Sequence, residues 1–310
     1  MARVAGLGRA LPGRVVANAE LARSLGVTEE WILGACGIRE RRRSGPGEDV
    51  VELARRAASS ALEAAGLPPS ALGAIVVGTG SAPRRFPGVS AELQRLLGAP
   101  GIPAFDVPLA SAGGLFALAL AVDLSPRYGN VLAVGADVLS GALGEPPPRE
   151  TAILFGDGAG AAVVTRGAGG LEVLDVRLGG DGAFADALFR DASGPLAMDG
   201  RTVILQASRK LPGAVRDLLD RNGVAPGDVD LYVLHQANLN LLRAVGRSLG
   251  VPESRVFVDL DRLGNTSAAS VLIALSEAVE ERTLPAGSLL VLGAFGAGFS
   301  WGAALLAVRG

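Results

Sequence analysis

The feature that most restricts how this 310-residue chain can fold is that it repeats itself. Ala64 to Ser81 (AAGLPPSALGAIVVGTGS) and Arg221 to Asn238 (RNGVAPGDVDLYVLHQAN) share one design: a helix end, Gly, an apolar residue, a Pro-containing turn and a buried strand. Gly66 matches Gly223 and Pro69 matches Pro226 at the same offset. Leu97 to Phe105 (LGAPGIPAF) then parallels Leu249 to Phe257 (LGVPESRVF), and Gly129 to Asp137 (GNVLAVGAD) parallels Gly287 to Phe295 (GSLLVLGAF). Gly160 to Val164 (GAAVV) finally parallels Gly302 to Leu306 (GAALL). Landmarks recurring in one order over half the chain describe a duplication far longer than a solenoid unit. Two similar α/β halves are expected, residues 1–168 and 169–310, forming one compact unit with the Gly/Ala-rich Thr165 to Gly170 as the seam.

Helical stretches such as Val50 to Ala65 and Ser208 to Arg221 alternate with short apolar strands, which predicts mostly parallel sheets covered by helices. Ligands in such folds sit at loops beyond strand ends, so a site shared between the halves is expected. With 44 glycines and only 4% aromatic residues, the layers must pack through Ala, Val, Leu and close backbone approach. A net charge of −2 gives no general electrostatic footprint for nucleic acid. One cysteine, Cys36, and one histidine, His235, exclude internal disulfides and the common zinc ligand sets.

The N-terminal MARVAGLGRALPGRV carries Arg3, Arg9 and Arg14 and lacks the apolar centre of a secretory leader, so a cytoplasmic location is expected. Ser288 to Val308 is uncharged and long enough to suggest a membrane span, but Gly293, Gly296, Gly298 and Gly302 interrupt it as a helix. Two buried strands joined by a loop are expected there.

Three stretches carry chemistry. In FDVPLASAGGLF, Asp106 to Leu109 ends a strand, Ala110 to Gly114 forms the turn, and Leu115 to Val122 continues as a buried helix without a polar face. A serine at that helix start, Ser111, lies under exposed N–H groups that favour a developing anion; the plain alternative is an N-cap or a small packing residue. In VLHQANLNLL, His235 directly follows a buried strand, where Gln236 and Asn238 could hold it in one tautomer as a base or donor; a satisfied structural histidine is the alternative. In RLGNTSAAS, Asn265 offers an amide that donates to an oxyanion without titrating; the plain alternative is that Asn265 or Thr266 simply caps the following helix. FGDGAGAAVV contains G-x-G-x-x-A but leads into a strand, so a dinucleotide site is not expected.

Taken together, DVPLASAGG, FGDGAGAAVV, HQANLNLL, GNTSAAS and AFGAGFSWGAALL, with EEWILGACGIRERR and RFPG (Arg85 to Gly88), resemble the thiolase superfamily, most closely the 3-oxoacyl-[acyl-carrier-protein] synthase III group. The resemblance covers essentially the whole chain. It implies a five-layered thiolase-like fold made of two duplicated α/β halves, working as a homodimer. It also implies a decarboxylative Claisen condensation of fatty acid or polyketide starter chemistry. An acyl group passes from coenzyme A to residue 111, and a malonyl thioester on acyl carrier protein loses carbon dioxide and attacks the acyl-enzyme. By motif match, His235 and Asn265 polarise the malonyl thioester carbonyl, and the backbone N–H groups of Ser111 and Ala297 form the other oxyanion hole. Phe86 reaches across the dimer to shape the partner's acyl pocket, Trp31 and Arg149 hold the nucleotide end of coenzyme A, and Asn238 and Phe295 match substrate-binding positions. The resemblance implies no permanently bound cofactor, coenzyme A thioesters as substrates, and neither nucleic acid nor membrane as a partner.

The chain departs from that pattern in three places. Ser111 stands where the family has its cysteine, and Cys36 lies in the nucleotide-side segment and cannot replace it. A thiol becomes a useful thiolate at a helix N-terminus, whereas a hydroxyl needs a base in the transition state. Four readings of Ser111 therefore stand: a nucleophile activated by His235, a laboratory Cys-to-Ser change, an enzyme that only decarboxylates, or a non-catalytic subunit paired with an active homologue. Ala35 replaces an arginine that commonly grips the nucleotide, and Asn240 replaces the usual carrier-docking arginine. Arg39 to Arg43 (RERRR) could offer positive charge to a phosphate or an acidic carrier, or be an ordinary solvated run.

Overall fold

The computed structural model describes residues 1–191 and 194–310. The chain begins with β1 (Ala2–Ala10), β2 (Arg14–Ala17), α1 (Asn18–Leu25), α2 (Glu29–Cys36) and β3 (Glu40–Arg43). It continues through α3 (Val50–Ala65), β4 (Leu72–Gly78), α4 (Val89–Leu97), β5 (Ala104–Val107), α5 (Gly113–Tyr128), β6 (Asn130–Asp137), α6 (Arg149–Ala152) and β7 (Gly158–Arg166). After the turn at 167–169 come β8 (Gly170–Gly180), β9 (Leu188–Arg190), β10 (Leu196–Met198), α7 (Gly200–Arg221), β11 (Leu231–Leu234) and α8 (Leu239–Leu249). The last elements are α9 (Leu260–Leu263), α10 (Ser270–Glu281), β12 (Leu289–Gly296) and β13 (Ser300–Arg309).

Local chemistry explains where the repeated helices stop. Gly66 and Gly223 follow α3 and α7 with φ of 64° and 65°, and each leads into a Pro-initiated helical turn, Pro69–Ala71 and Pro226–Asp228. The left-handed backbone there favours glycine because it has no Cβ to clash. At its start, α3 is capped by the Asp49 carboxylate, which accepts the Glu52 N–H at 2.8 Å. Helix α7 begins earlier than its apolar pattern predicts, because Asp199 caps it by accepting the Thr202 N–H at 3.1 Å. Its first turns expose Ile204 and Leu205, so hydrophobic periodicity registers only further along.

A nine-stranded sheet runs in the order β11-β12-β13-β8-β1-β7-β6-β4-β5. Its two wings repeat one pairing scheme. Strand β4 is parallel to β6, which is antiparallel to β7, which is antiparallel to β1; likewise β11 is parallel to β12, β12 antiparallel to β13, and β13 antiparallel to β8. The wings join where β1 meets β8 over Arg3–Glu172 and Val4–Leu171. The sheet is therefore mixed, not mostly parallel as the alternating pattern predicts. The three-residue loop 297–299 between β12 and β13 is too short for a crossover and requires an antiparallel pair. This hairpin is the uncharged Ser288 to Val308 stretch.

Side-chain alternation along the strands builds five layers. Ile75 and Val77 face α3 and α4 on one side, while Ala74 and Val76 face α5 and α10. In the other wing, Leu231, Val233, Leu290 and Leu292 face the same central helices, and Tyr232, Leu234 and Val291 face α7 and α8. Helices α5 and α10 thus lie between the two wings, as the lack of a polar face on Leu115 to Val122 predicts. Their starts meet closely: a Cβ on Gly114 or Gly135 would lie 2.3 or 2.1 Å from Ala268 O. Glycine is required there so that both helices can begin side by side at the centre.

Candidate active site

Ser111 sits in the tight turn between β5 and α5 with φ of 64°; among the described residues only one other non-glycine residue, Ser267, has a positive φ. The N-cap of α5 is Ala112, without a side-chain cap bond, so Ser111 is not a capping serine. A β-substituted residue in this left-handed conformation costs about 1–2 kcal/mol, which the surrounding contacts must offset. The end of β12 presses on the turn: a Cβ on Gly296 would lie 2.2 Å from Ala110 O and 2.8 Å from Ser111 Cβ. Gly296→Ala is accordingly expected to destabilise the fold by about 3 kcal/mol, as overpacking does in a close-packed interior. Denaturant unfolding would show it, and an unchanged midpoint would mean that the turn and β12 can separate.

His235 follows β11, its N–H donating to Gly293 O at 2.7 Å. Its side chain is 6% exposed, Nδ1 has no hydrogen-bond partner among the described residues, and burial lowers the imidazole pKa to about 4. The ring is therefore neutral at ordinary pH. Gln236 and Asn238 do not hold it. Gln236 donates to Leu234 O and Phe257 O and accepts the Asp259 N–H, while Asn238 caps α8 and donates to Ala35 O at 2.9 Å. Their polar groups are consumed by the backbone around the strand end, which fixes the position of His235 instead of its tautomer.

Asn265 is fixed by its backbone on both sides: its N–H donates to Leu154 O at 2.9 Å and its carbonyl accepts the Gly156 N–H at 3.0 Å. Its Oδ1 accepts the Ser267 N–H at 2.9 Å. With the oxygen engaged, the Nδ2 amide is the group left to donate. The local capping bond and the free donor are thus two ends of one side chain.

Ser111, His235, Asn265 and Phe295 line one narrow cavity of about 50 Å³, closed by Phe155, Leu188, Met198, Val203, Ala207 and Leu211. Three sequence-distant turns, from both halves of the repeat, converge there. An open groove of about 640 Å³ adjoins the Ser111 turn, lined by Ala110, Ala297, Gly298, Arg84 and Arg85, but holds none of the three polar residues. Phe86, 85% exposed, is on the loop that borders this groove. Trp31 and Arg149 are at the surface, outside the cavity.

Asn240 donates to Gly34 O at 3.1 Å, tying α8 to the end of α2. The Arg39 to Arg43 run is not uniformly solvated: Arg39 is exposed, but the run turns inward after it. Arg41 is fully buried, its guanidinium donating to Val16 O, Asn18 Oδ1 and Ile153 O, and desolvation lowers its pKa to about 10. Two residues of the surroundings were missed by the motifs, Ser267 and Asp137. Ser267 was visible as the counterpart of Ser111 under the duplication, and Asp137 as the one charge on an apolar strand.

Comparison with known proteins gives this arrangement a family. The profile of 3-oxoacyl-[acyl-carrier-protein] synthase III matches residues 105–182, and that of its C-terminal region matches residues 219–308. The beta-ketoacyl-[acyl-carrier-protein] synthase III of Rhizorhabdus wittichii is 42% identical over 98% of both chains. The chain belongs to the 3-oxoacyl-[acyl-carrier-protein] synthase III family. The crystal structure of the synthase III from Aquifex aeolicus superposes with a TM-score of 0.95 at 38% identity, covering 99% of this chain and 100% of that one. A priming beta-ketosynthase from the R1128 polyketide pathway superposes with a TM-score of 0.92 at 35% identity, covering 100% and 97%. The five-layered fold is thus that of the thiolase-like synthases III, and the chain falls in the acyltransferase class of condensing enzymes. Among the described residues no helix is long and apolar enough to cross a membrane, and no cluster of His, Cys, Asp or Glu could hold a metal ion.

Proposed function

We propose that this synthase III relative accepts a short acyl group from coenzyme A on Ser111 Oγ and joins it to a malonyl unit. The observation that carries this reading is the convergence of Ser111, His235 and Asn265 on one cavity, with the imidazole neutral and the amide Nδ2 unengaged. In acylation the Ser111 oxygen attacks the thioester carbon, coenzyme A leaves as the thiol, and the hydroxyl proton reaches the departing sulfur through solvent, no base being bonded to Ser111 Oγ among the described residues. In the second step the neutral His235 N–H and the Asn265 amide donate to the malonyl thioester oxygen as carbon dioxide departs, so the enolate charge falls on fixed donors. The enolate carbon then attacks the Ser111 ester, and the serine oxygen leaves and takes up a proton from solvent to restore the hydroxyl.

The narrow cavity supports short acyl groups. Trp31 and Arg149, exposed at the surface, suit the nucleotide end of coenzyme A, and Phe295 walls the acyl position. Ala297, at the β12 end beside the turn, supplies the N–H for the acyl oxyanion; the Ser111 N–H, the expected second donor, is engaged by Ser267 Oγ at 3.0 Å. Acyl carrier protein as malonyl donor, and a homodimer in which Phe86 reaches across to shape the partner's acyl pocket, complete the reading by family likeness. Asn240, turned onto α2, offers a carrier no cation.

A decarboxylase-only reading has one observation in its favour: among the described residues Ser111 Oγ makes no hydrogen bond to His235 or to any other base. Intact-protein mass after incubation with a panel of acyl-coenzyme A donors separates the two. A stable increment mapping to the Ser111 peptide, absent in Ser111→Ala, is the expected result. Malonyl decarboxylation without any increment would establish the narrower activity, and neither would leave a non-catalytic subunit.

A further inference from the structure

Ser111 and Ser267 occupy corresponding places in the duplication, ahead of the two central helices α5 and α10, with φ of 64° and 50°. The two turns are bonded to each other: the Ser111 N–H donates to Ser267 Oγ at 3.0 Å, in a fully buried contact. Ser267 is itself held from two sides. Its N–H donates to Asn265 Oδ1 at 2.9 Å, and the next N–H along the chain, that of Ala268, donates to Asp137 Oδ2 at 3.0 Å.

Asp137 ends β6 with no exposed surface and no ion pair among the described residues. An unpaired carboxylate in such a place is tolerated only when donors surround it. Its Oδ1 accepts from Thr79 Oγ1 at 3.1 Å, the Gly80 N–H at 2.8 Å and Ser81 Oγ at 2.8 Å, and its Oδ2 accepts the Ala268 N–H at 3.0 Å. The carboxylate thereby ties the end of β4 and the end of β6 to the start of α10, and Ser267 extends the tie to the start of α5. None of these groups reaches the substrate cavity.

We propose that Ser267, held by Asn265 and by the Ala268 contact to Asp137 beside it, is a positioning residue for the side chain at position 111: its hydroxyl takes the Ser111 N–H and fixes the left-handed turn that presents Oγ at the helix start. The inference rests on the reading of residue 111 as the acyl acceptor for its importance to the reaction, but not for its test. The rival is that Ser267 is only a residue that tolerates a left-handed turn. Glycine distinguishes them, because it relieves the backbone strain while removing the hydroxyl.

The test uses the full chain carrying Ser111→Cys, alone and combined with Ser267→Gly or Ser267→Ala, and follows alkylation of residue 111 by iodoacetamide across pH. Peptide mapping separates it from Cys36, which is buried. A thiol aligned with the start of α5 is stabilised as thiolate by the unpaired N–H groups there. Loss of the hydroxyl is expected to raise the alkylation midpoint in both double variants, leaving about tenfold less thiolate at neutral pH. An unchanged or lowered midpoint in the glycine variant, or in the alanine variant should the glycine one not fold, overturns the proposal. Acylation of wild-type Ser111 is measured alongside. A midpoint shift without acylation removes the acyl-enzyme reading and keeps the positioning role, and acylation without a shift does the reverse.

Discussion

His235→Ala is expected to slow malonyl decarboxylation by about 10²- to 10³-fold, the usual cost of removing one donor aimed at a developing oxyanion. The effect should appear whatever residue stands at 111, because the donors proposed to receive the enolate charge belong to the β11 end and the Asn265 turn. Burial holds the His235 pKa at about 4, so the imidazole stays neutral throughout ordinary pH, the state in which the proposed mechanism has it donate to the enolate. Decarboxylation by the wild type should therefore be flat from pH 8 down to about 5, the range over which the ring does not change its charge. A rate falling with a midpoint near the ordinary histidine value of about 6.5 would show that the ring titrates as if solvated. Stability follows the opposite-signed proton uptake. Below the unfolded histidine's value the unfolded chain binds a proton that the folded one refuses, so this group's burial erodes stability as pH falls toward 4.

Ser111→Cys is expected to raise condensation by about 10²- to 10⁴-fold, because that is what a missing general base is worth and a thiolate does not need one. No base is bonded to Ser111 Oγ among the described residues, while the start of α5 stands ready to stabilise a thiolate. The measurement is condensation of acetyl-coenzyme A with malonyl carrier protein, checked by intact mass for the thioester on residue 111. A correctly folded variant that remains inactive would place the divergence in the cavity wall or the carrier surface instead of the nucleophile.

Much of the fold was legible because the chain states it twice. The paired glycines after α3 and α7, the Pro-initiated turns that follow them and the unpolar central helices are all local signals, and the local backbone obeys them. The sheet was less legible. Parallel and antiparallel strands in a buried layer carry the same apolar run, and only the three-residue link before Ser300 reveals the direction of β13. The Arg39 to Arg43 run misled for a related reason: charge on a short strand reads as solvated, but Arg41 finds its partners in two backbone carbonyls and the Asn18 amide oxygen, which become neighbours only after folding.

The candidate site divides in the same way. The sequence by itself determined that residue 111 follows a strand and precedes a buried helix, that His235 closes another strand, and that Asn265 occupies a polar turn. These are properties of neighbours along the chain. Only the tertiary structure decided that the three share a cavity, that Gln236 and Asn238 serve the backbone instead of the imidazole, and that the Ser111 N–H is taken by a second left-handed serine held by Asn265. Hydrogen-bond partners are set by which turns the central helices bring together. That proximity depends on small residues such as Gly114, Gly135 and Gly296 letting backbones approach across the two halves.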